Sequence, residues 1–194
     1  MKSILAFLLA AASAAVPALA GEVEYEIDPT HTFPSFEADH MGISFWRGKF
    51  NASRGRIALD REAGTGTVEV EIDVASIDFG LDAMNEVALG PTLFDAANWP
   101  LATYRGTLAG FADGAPTRVE GELTLRGVTR PVALEIRRFR CIPHPLHGRE
   151  LCGADALATL RRDEFGMDAG KEYGFDMAVT LRIQVEAVAK AAAD

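Results

Sequence analysis

Hydrophobic residues recur at every second position through most of this chain, and that period admits few folds. Val68, Val70, Ile72 and Val74 fall on one side of an extended segment, with Thr67, Glu69, Glu71 and Asp73 on the other. Such a segment is a β-strand with one buried and one wet face. The same alternation places Val119, Gly121, Leu123 and Leu125 on one face, then Val132, Leu134 and Ile136, and near the end Val179, Leu181, Ile183 and Val185. Leu101 to Leu108, with Ala102, Tyr104 and Gly106 inward, and Ala154 to Arg161 read as further strands. Towards the N-terminus Thr32, Pro34, Phe36, Ala38 and His40 share a face. Trp46, Gly48 and Phe50 open the next strand, which continues through Ile57 and Leu59. Turn-forming stretches separate these segments at Asp60 to Gly66, Asp113-Gly114-Ala115-Pro116 and Gly127 to Arg130.

Strands with one apolar face must bury it, either by packing two sheets as a sandwich or by closing one sheet on itself. About eight strands make a barrel wide enough for one ligand. The small inward residues Gly48, Ala102, Gly106 and Gly121 favour the barrel, because in a sandwich core they would leave costly voids. The same glycines serve equally as bends in a coiled sheet. One segment breaks the pattern. Asp82 to Leu89 is rich in helix formers and is stopped by Gly90-Pro91, and Thr92 to Asn98 is expected to add a second short turn of helix before Trp99-Pro100. A helical insert of this kind lies across an open end of a barrel. No linker, repeat or charge block divides the chain, so one domain is expected from Gly21 to Asp194.

Residues 1–20 have the three parts of a cleavable secretory signal: Lys2, an apolar run from Ile4 to Ala12, and small residues Ala18 and Ala20 before a cut at Gly21. Export to an oxidising compartment predicts that the two cysteines, Cys141 and Cys152, form a disulfide. His144 and His147 lie between them, but the spacing does not match a zinc site. The net charge of −9 leaves no electrostatic footprint for nucleic acid. Nucleophile-elbow, metalloprotease and phosphate-loop motifs are all missing, and no nucleophile stands at recognisable spacing from a base.

Tyr25-Glu26-Ile27-Asp28, His31-Thr32, Phe36 and His40, then Gly42 and Gly48-Lys49-Phe50, follow one another in an order that resembles the opening of the YceI-like family. Ser76-Ile77-Asp78, Leu93-Phe94-Asp95 and Trp99-Pro100 match the segments around the family's helical insert. Gly121 to Val132 is the most specific match. Arg161 to Met167 is similar to an Arg-x-Asp-Phe-Gly stretch with Glu164 inserted, and Val179 to Val188 fits the family's ending. Pro34, Phe79 and Val87 depart from the pattern, and the cysteine hairpin belongs to a subset. The resemblance implies an all-β fold, an extended lipocalin-like antiparallel barrel of about eight strands with a short helical insert. It implies a periplasmic binding or carrier protein for a polyisoprenoid or similar long amphiphile, such as an isoprenoid quinone or a prenyl phosphate. It further implies frequent homodimers and a link to membrane cytochromes of the b561 type.

A polyprenyl tail is held by apolar area, so the aromatic and large apolar residues on inner faces are the ligand-binding candidates: Phe36, Trp46, Phe50, Phe94, Trp99 and Tyr104, with Leu89 and Met84 from the insert. His40 is the polar candidate, able to bond a quinone carbonyl or a phosphate, with a core histidine bonded to backbone as the bland reading. His31 is expected to serve a turn, and Arg162-Asp163 to form an internal polar pair. The expectation is a non-enzyme with no cofactor beyond the bound lipid, no metal and no catalytic residues. Two alternatives stand beside it. One is a hydrolase or isomerase acting on a small apolar substrate. The other is a structural envelope or stress protein whose barrel is filled by side chains.

Overall fold

The alternating segments all become strands, and they join in chain order into one closed meander. A computed structural model describes residues 21–146 and 148–191. The leader expected over 1–20 lies outside the described residues, as does His147. Three of the long strands are bent and so count twice: β1 (Val23–Ile27) with β2 (Phe33–His40), β3 (Ser44–Phe50) with β4 (Ser53–Asp60), and β5 (Thr65–Asp73) with β6 (Ile77–Asp78). Then follow β7 (Leu101–Ala109), β8 (Arg118–Leu125), β9 (Val128–Pro131) continuing into β10 (Leu134–Pro143), β11 (Glu150–Arg161) and β12 (Ala178–Ala189).

The eight strands β1, β4, β5, β7, β8, β10, β11 and β12 form an antiparallel ring in that order. It closes where Tyr25 and Ile27 of β1 lie opposite Ala189 and Ala187 of β12. Past the bend at 28–32, β2 takes over as partner of β12, with Phe36 opposite Leu181, and carries β3 and then β6 on its far side. Pro34 lies just past that bend, opposite Ile183 of β12 and one residue before β2 begins pairing with β3 at Ser35 and Lys49, so it is not flanked by strands on both sides. Neighbouring bends are tied together: Asn51 N–H donates to Ser76 O at 3.0 Å and Asp73 N–H to Ala52 O at 3.0 Å. Closure by the last strand on the first leaves the main ring without a free edge.

One β-bulge changes the phase of an inner face. Ile136 lies opposite Ala156 but Arg138 opposite Asp155, so β10 carries one extra residue and its inward positions pass from Leu134 and Ile136 to Phe139 and Cys141. Cys141 therefore meets Cys152 directly across β10 and β11, and the two form a disulfide.

The barrel has two different ends. The lower end carries the tight turns at 61–64 and 110–117 and the disulfide hairpin. The upper end carries the helix α1 (Asp82–Leu89), the turn at 41–43 and the segment 162–177. Asn85 of the helix accepts the Phe79 N–H at 2.8 Å, fixing the helix to the strand that precedes it. The second helical turn expected over Thr92 to Asn98 does not form. Hydrogen-bonded turns replace it, with Asp95 N–H on Gly90 O and Trp99 N–H on Asp95 O, each at 2.9 Å. Arg126, in the β8–β9 turn, stitches the upper end together by donating to Leu93 O at 2.6 Å, Gly166 O at 2.9 Å and Pro91 O at 3.2 Å.

Candidate functional site

The inner faces of the strands do not meet. They enclose a cavity of about 460 Å³. Both Val179 and Ala187, eight residues apart on β12, line it. That span is about 27 Å along a strand and about 20 Å along the axis of a barrel with ordinary tilt. A volume of 460 Å³ spread over such a length is a narrow bore. Mid-strand inward residues such as Ile57, Val70, Ile136, Ile183 and Val185 keep partial exposure because they face this space, whereas Val179, Ala187 and Ala189 near the ends are buried.

Seven rings occupy the upper half in an unbroken file. Phe175 meets His40 edge-on with centroids 5.1 Å apart, and His40 stacks on Trp46 at 5.2 Å. Trp46 meets Phe79 at 6.1 Å and Phe79 meets Phe36 at 5.5 Å. Phe36 then contacts Phe50 at 5.9 Å and Phe94 at 6.3 Å. All seven line the cavity. From the helix, Met84 and Ala88, one turn apart, face it too.

The lower half is sealed. Tyr25, 1% exposed, donates its phenol to Glu150 Oε2 at 2.5 Å, and Glu150 is also 3.6 Å from Arg61. Burial first, then the bond to Glu150, raises the phenol pKa well above the ordinary tyrosine value. Leu59, Leu108 and Cys152 pack beside it. Tyr104, higher up, donates to Val132 O at 2.8 Å, and burial holds its pKa above normal too.

Other polar groups on the wall are also taken by the protein. Thr32 Oγ1 donates to Glu186 O at 3.2 Å and accepts the Glu186 N–H at 3.1 Å. Ser35 donates to Phe33 O at 3.2 Å. Asp39 accepts the N–H groups of Gly42 and Asp176 at 3.0 and 3.1 Å. Among the described residues no hydroxyl of the wall bonds an imidazole; the hydroxyl–imidazole contact of Thr30 Oγ1 with His31 Nδ1, at 3.0 Å, lies outside the cavity in the bend between β1 and β2.

The sequence-derived candidates divide. Phe36, His40, Trp46, Phe50, Phe94 and Tyr104 line the cavity. Leu89 and Trp99 are corrections, because neither is on its wall. Leu89 is turned about 100° from Ala88 around the helix and packs on the outside of the core. Trp99, 43% exposed, lies over Gly127 in the β8–β9 turn, where any Cβ would fall 2.5 Å from its ring. His40 is not the backbone-bonded core histidine of the bland reading: rings, not hydrogen bonds, hold its imidazole among the described residues.

The expected Arg162–Asp163 pair does not form, since the two residues open a 3₁₀ turn in which successive side chains diverge by about 120°. Asp163 turns away from the cavity, where Oδ2 accepts from Lys171 and Arg161, each at 2.9 Å, and these partners hold its pKa down at about 2, while Oδ1 is buried with no hydrogen-bond partner among the described residues. Arg162 turns inward and lines the cavity. Burial lowers its pKa from the ordinary arginine value, against the charges of Asp163 and Asp168.

The inward glycines do not provide the ligand's space. A Cβ on Gly48 would fall 2.6 Å from Phe36 Cζ, on Gly106 2.7 Å from Val119 Cγ1, and on Gly121 2.4 Å from the Tyr104 hydroxyl. They admit neighbouring side chains, and of the four small residues only Ala102 lines the cavity. Wall residues not among the sequence-derived ligand candidates include Phe79, Phe175 and Arg162, the last expected only as half of an internal polar pair. Phe79 stood out as a departure at the end of a strand, whereas the aperiodic segment holding the other two gave no inward signal.

Comparison with known proteins places this geometry. The YceI-like domain family matches residues 25–189. A UPF0312 protein of Vibrio campbellii is 31% identical over 192 residues, 97% of this chain and 99% of that one. The Campylobacter jejuni YCEI protein has a similar fold, with a TM-score of 0.66 at 22% identity over 78% of this chain and 90% of that one. A polyisoprenoid-binding domain from Saccharophagus degradans, implicated in plant cell wall breakdown, is similar at a TM-score of 0.61 and 18% identity, over 87% of this chain and 99% of the other.

Proposed function

This chain belongs to the YceI-like domain family, and from that premise we propose that it is a non-catalytic carrier that takes the tail of a polyisoprenoid, or of a similarly long amphiphile, into its barrel. The observation that supports this most is the continuous apolar bore. It runs from a mouth of aromatic rings to a floor sealed by Tyr25, and its 460 Å³ falls within the roughly 300–1,000 Å³ of small-molecule sites. Apolar transfer, at about 25 cal/mol per Å² removed from water, drives the uptake of such a tail and needs no hydrogen bonds along its length. The polyisoprenoid-binding domain with the same fold supports the choice of ligand class. The leader-like segment 1–20 and the cross-strand disulfide favour work in the periplasm after export.

The test is native mass spectrometry on protein purified from a bacterial host, followed by solvent extraction. The expected result is a mass above that of the polypeptide, with a long isoprenoid in the extract. A protein that is always empty, and that takes up no prenyl alcohol on incubation, overturns the proposal.

A further inference from the structure

Polarity on the cavity wall is very unevenly left over. The hydroxyls of Tyr25, Thr32, Ser35 and Tyr104 and the carboxylate of Asp39 are all bonded within the protein. Among the described residues, the wall groups with capacity to spare are the His40 imidazole, the Trp46 indole N–H and the guanidinium of Arg162, all at the upper end.

Arg162 is the unusual one. It is 8% exposed, and no carboxylate among the described residues forms an ion pair with it. Two of its N–H donors go to backbone carbonyls, Nη1 to Met167 O at 2.9 Å and Nη2 to Ala169 O at 2.6 Å. A guanidinium carries five N–H donors and stays protonated in proteins, so those two bonds leave donor capacity to spare, and Asp163 and Asp168 act on its charge only through space. Burying a charge without a counter-ion is unfavourable. The neighbouring acids relieve it only in part, because Asp163 and Asp168 form no ion pair with it and Asp163 Oδ2 accepts from Lys171 and Arg161 instead.

Register puts this cation level with the rings. The Arg162 N–H donates to Met177 O at 2.9 Å, while Val179 lies opposite Ala38, and Ala38 opposite Trp46. Arg162 and His40 thus stand in register with β12 between them, two strand spacings or about 10 Å apart in backbone. A head group entering between them meets N–H donors on both sides and apolar walls below.

We propose that the bound amphiphile carries an anionic, acceptor-rich head, a phosphate or a carboxylate, and that Arg162 is the residue that binds it. This deepens the carrier reading and rests on it. An anionic head supplies the counter-ion that the chain itself withholds, through charge-assisted bonds of the kind guanidinium groups make with phosphate and carboxylate. The tail then runs down past Phe36 towards Tyr104.

The test compares ligands that share one tail: farnesol, farnesyl phosphate and farnesoic acid, each titrated against the purified full chain by displacement of an apolar fluorescent probe. Wild type is expected to bind the phosphate and the carboxylate at least tenfold more tightly than the alcohol. Arg162→Gln is expected to bring that ratio close to one, and Arg162→Lys to give an intermediate ratio. A preference for the phosphate alone assigns the head to the prenyl phosphates; a preference for both assigns the shared anionic chemistry. Equal affinities in wild type overturn the proposal without needing any variant, while leaving the carrier reading intact. A tenfold preference that persists in Arg162→Gln also overturns it, making Arg162 a pin for the 162–177 segment only. Failure of wild type to bind any of the three overturns the carrier reading and this inference together.

Discussion

The imidazole of His40 lies flat against the indole of Trp46, ring centroids 5.2 Å apart and planes 28° from parallel. This pair links Phe175 above it to Phe79 and Phe36 below, so Trp46 reports on the part of the bore that a tail must pass. The sequence holds two tryptophans, and Trp99 lies off the cavity wall against Gly127. Uptake of a prenyl alcohol should therefore alter Trp46 emission and leave Trp99 emission unchanged. Measured by fluorescence titration, the signal should vanish in Trp46→Phe and survive in Trp99→Phe. A full signal in Trp46→Phe would mean that ligand does not travel past the rings.

Gly121 is held by its neighbour across the sheet. A methyl group there would fall 2.4 Å from the Tyr104 hydroxyl and 2.6 Å from Arg105 O, and the backbone oxygen has nowhere to go. Gly121→Ala should displace Tyr104 from Val132 O and destabilise the fold by about 1–3 kcal/mol, the usual range for overpacking. Denaturant unfolding should show this as a lower midpoint with an unchanged slope. A midpoint equal to wild type would show that β7 and β8 separate freely at this level.

These glycines mark a boundary of what the residues reveal on their own. Period two identifies most of the long strands but neither β1 nor β9, whose Val128 to Arg130 reads as turn, and it selects the five inward residues Thr32, Pro34, Phe36, Ala38 and His40 together, because a pleated strand enforces that spacing. The pattern says nothing of what fills the space opposite a small residue, and at Gly48, Gly106 and Gly121 the filler is protein. The bulge in β10 was legible in principle, since Arg137 and Arg138 break the alternation just where the phase changes. Of the two insert candidates Met84 lines the cavity and Leu89 does not, a difference the sequence hides because an eight-residue helix has too few apolar positions to fix its face. Arg162 is expected inside only as half of a pair with Asp163; its place on the cavity wall is set by the 3₁₀ turn after β11 and by carbonyls five and seven residues further on, which no spacing reveals.

The bend between β1 and β2 contains a titrating pair. His31 Nδ1 lies 2.7 Å from Asp28 Oδ2, and Thr30 bonds the other carboxylate oxygen at 2.7 Å. The bond to Asp28, and then its charge, raise the His31 pKa above 6.5. For Asp28, burial alone would raise the carboxyl, but the bonds from Thr30 and His31 outweigh it and the net direction is down. A raised histidine contributes stability that is fully present below its unfolded value of about 6.5 and is lost as pH rises through the folded value. NMR titration of the His31 ring should give a midpoint above 6.5, and Asp28→Asn should bring it back towards 6.5. An identical midpoint in both proteins would show that the pair does not persist in solution.

The sharpest separation between a hollow barrel and a filled one comes from adding volume. Ala156 lies midway along β11, flanked by Ile136 on β10 and Ile183 on β12, and it lines the cavity. In a filled interior, Ala156→Phe would be overpacked and destabilised by about 1–3 kcal/mol. In this barrel the new ring has 460 Å³ to enter. An aromatic side chain buries roughly 150–250 Å², which at about 25 cal/mol per Å² offsets its lost rotamer freedom. The lipid-free variant should therefore melt at or above the wild-type temperature, while its affinity for a prenyl alcohol falls at least tenfold because the ring stands across a bore one chain wide. Calorimetry and the displacement titration read the two effects separately, and they should move in opposite directions. A lower melting temperature with ligand affinity unchanged would mean that the space beside Ala156 is neither open nor on the path of the ligand.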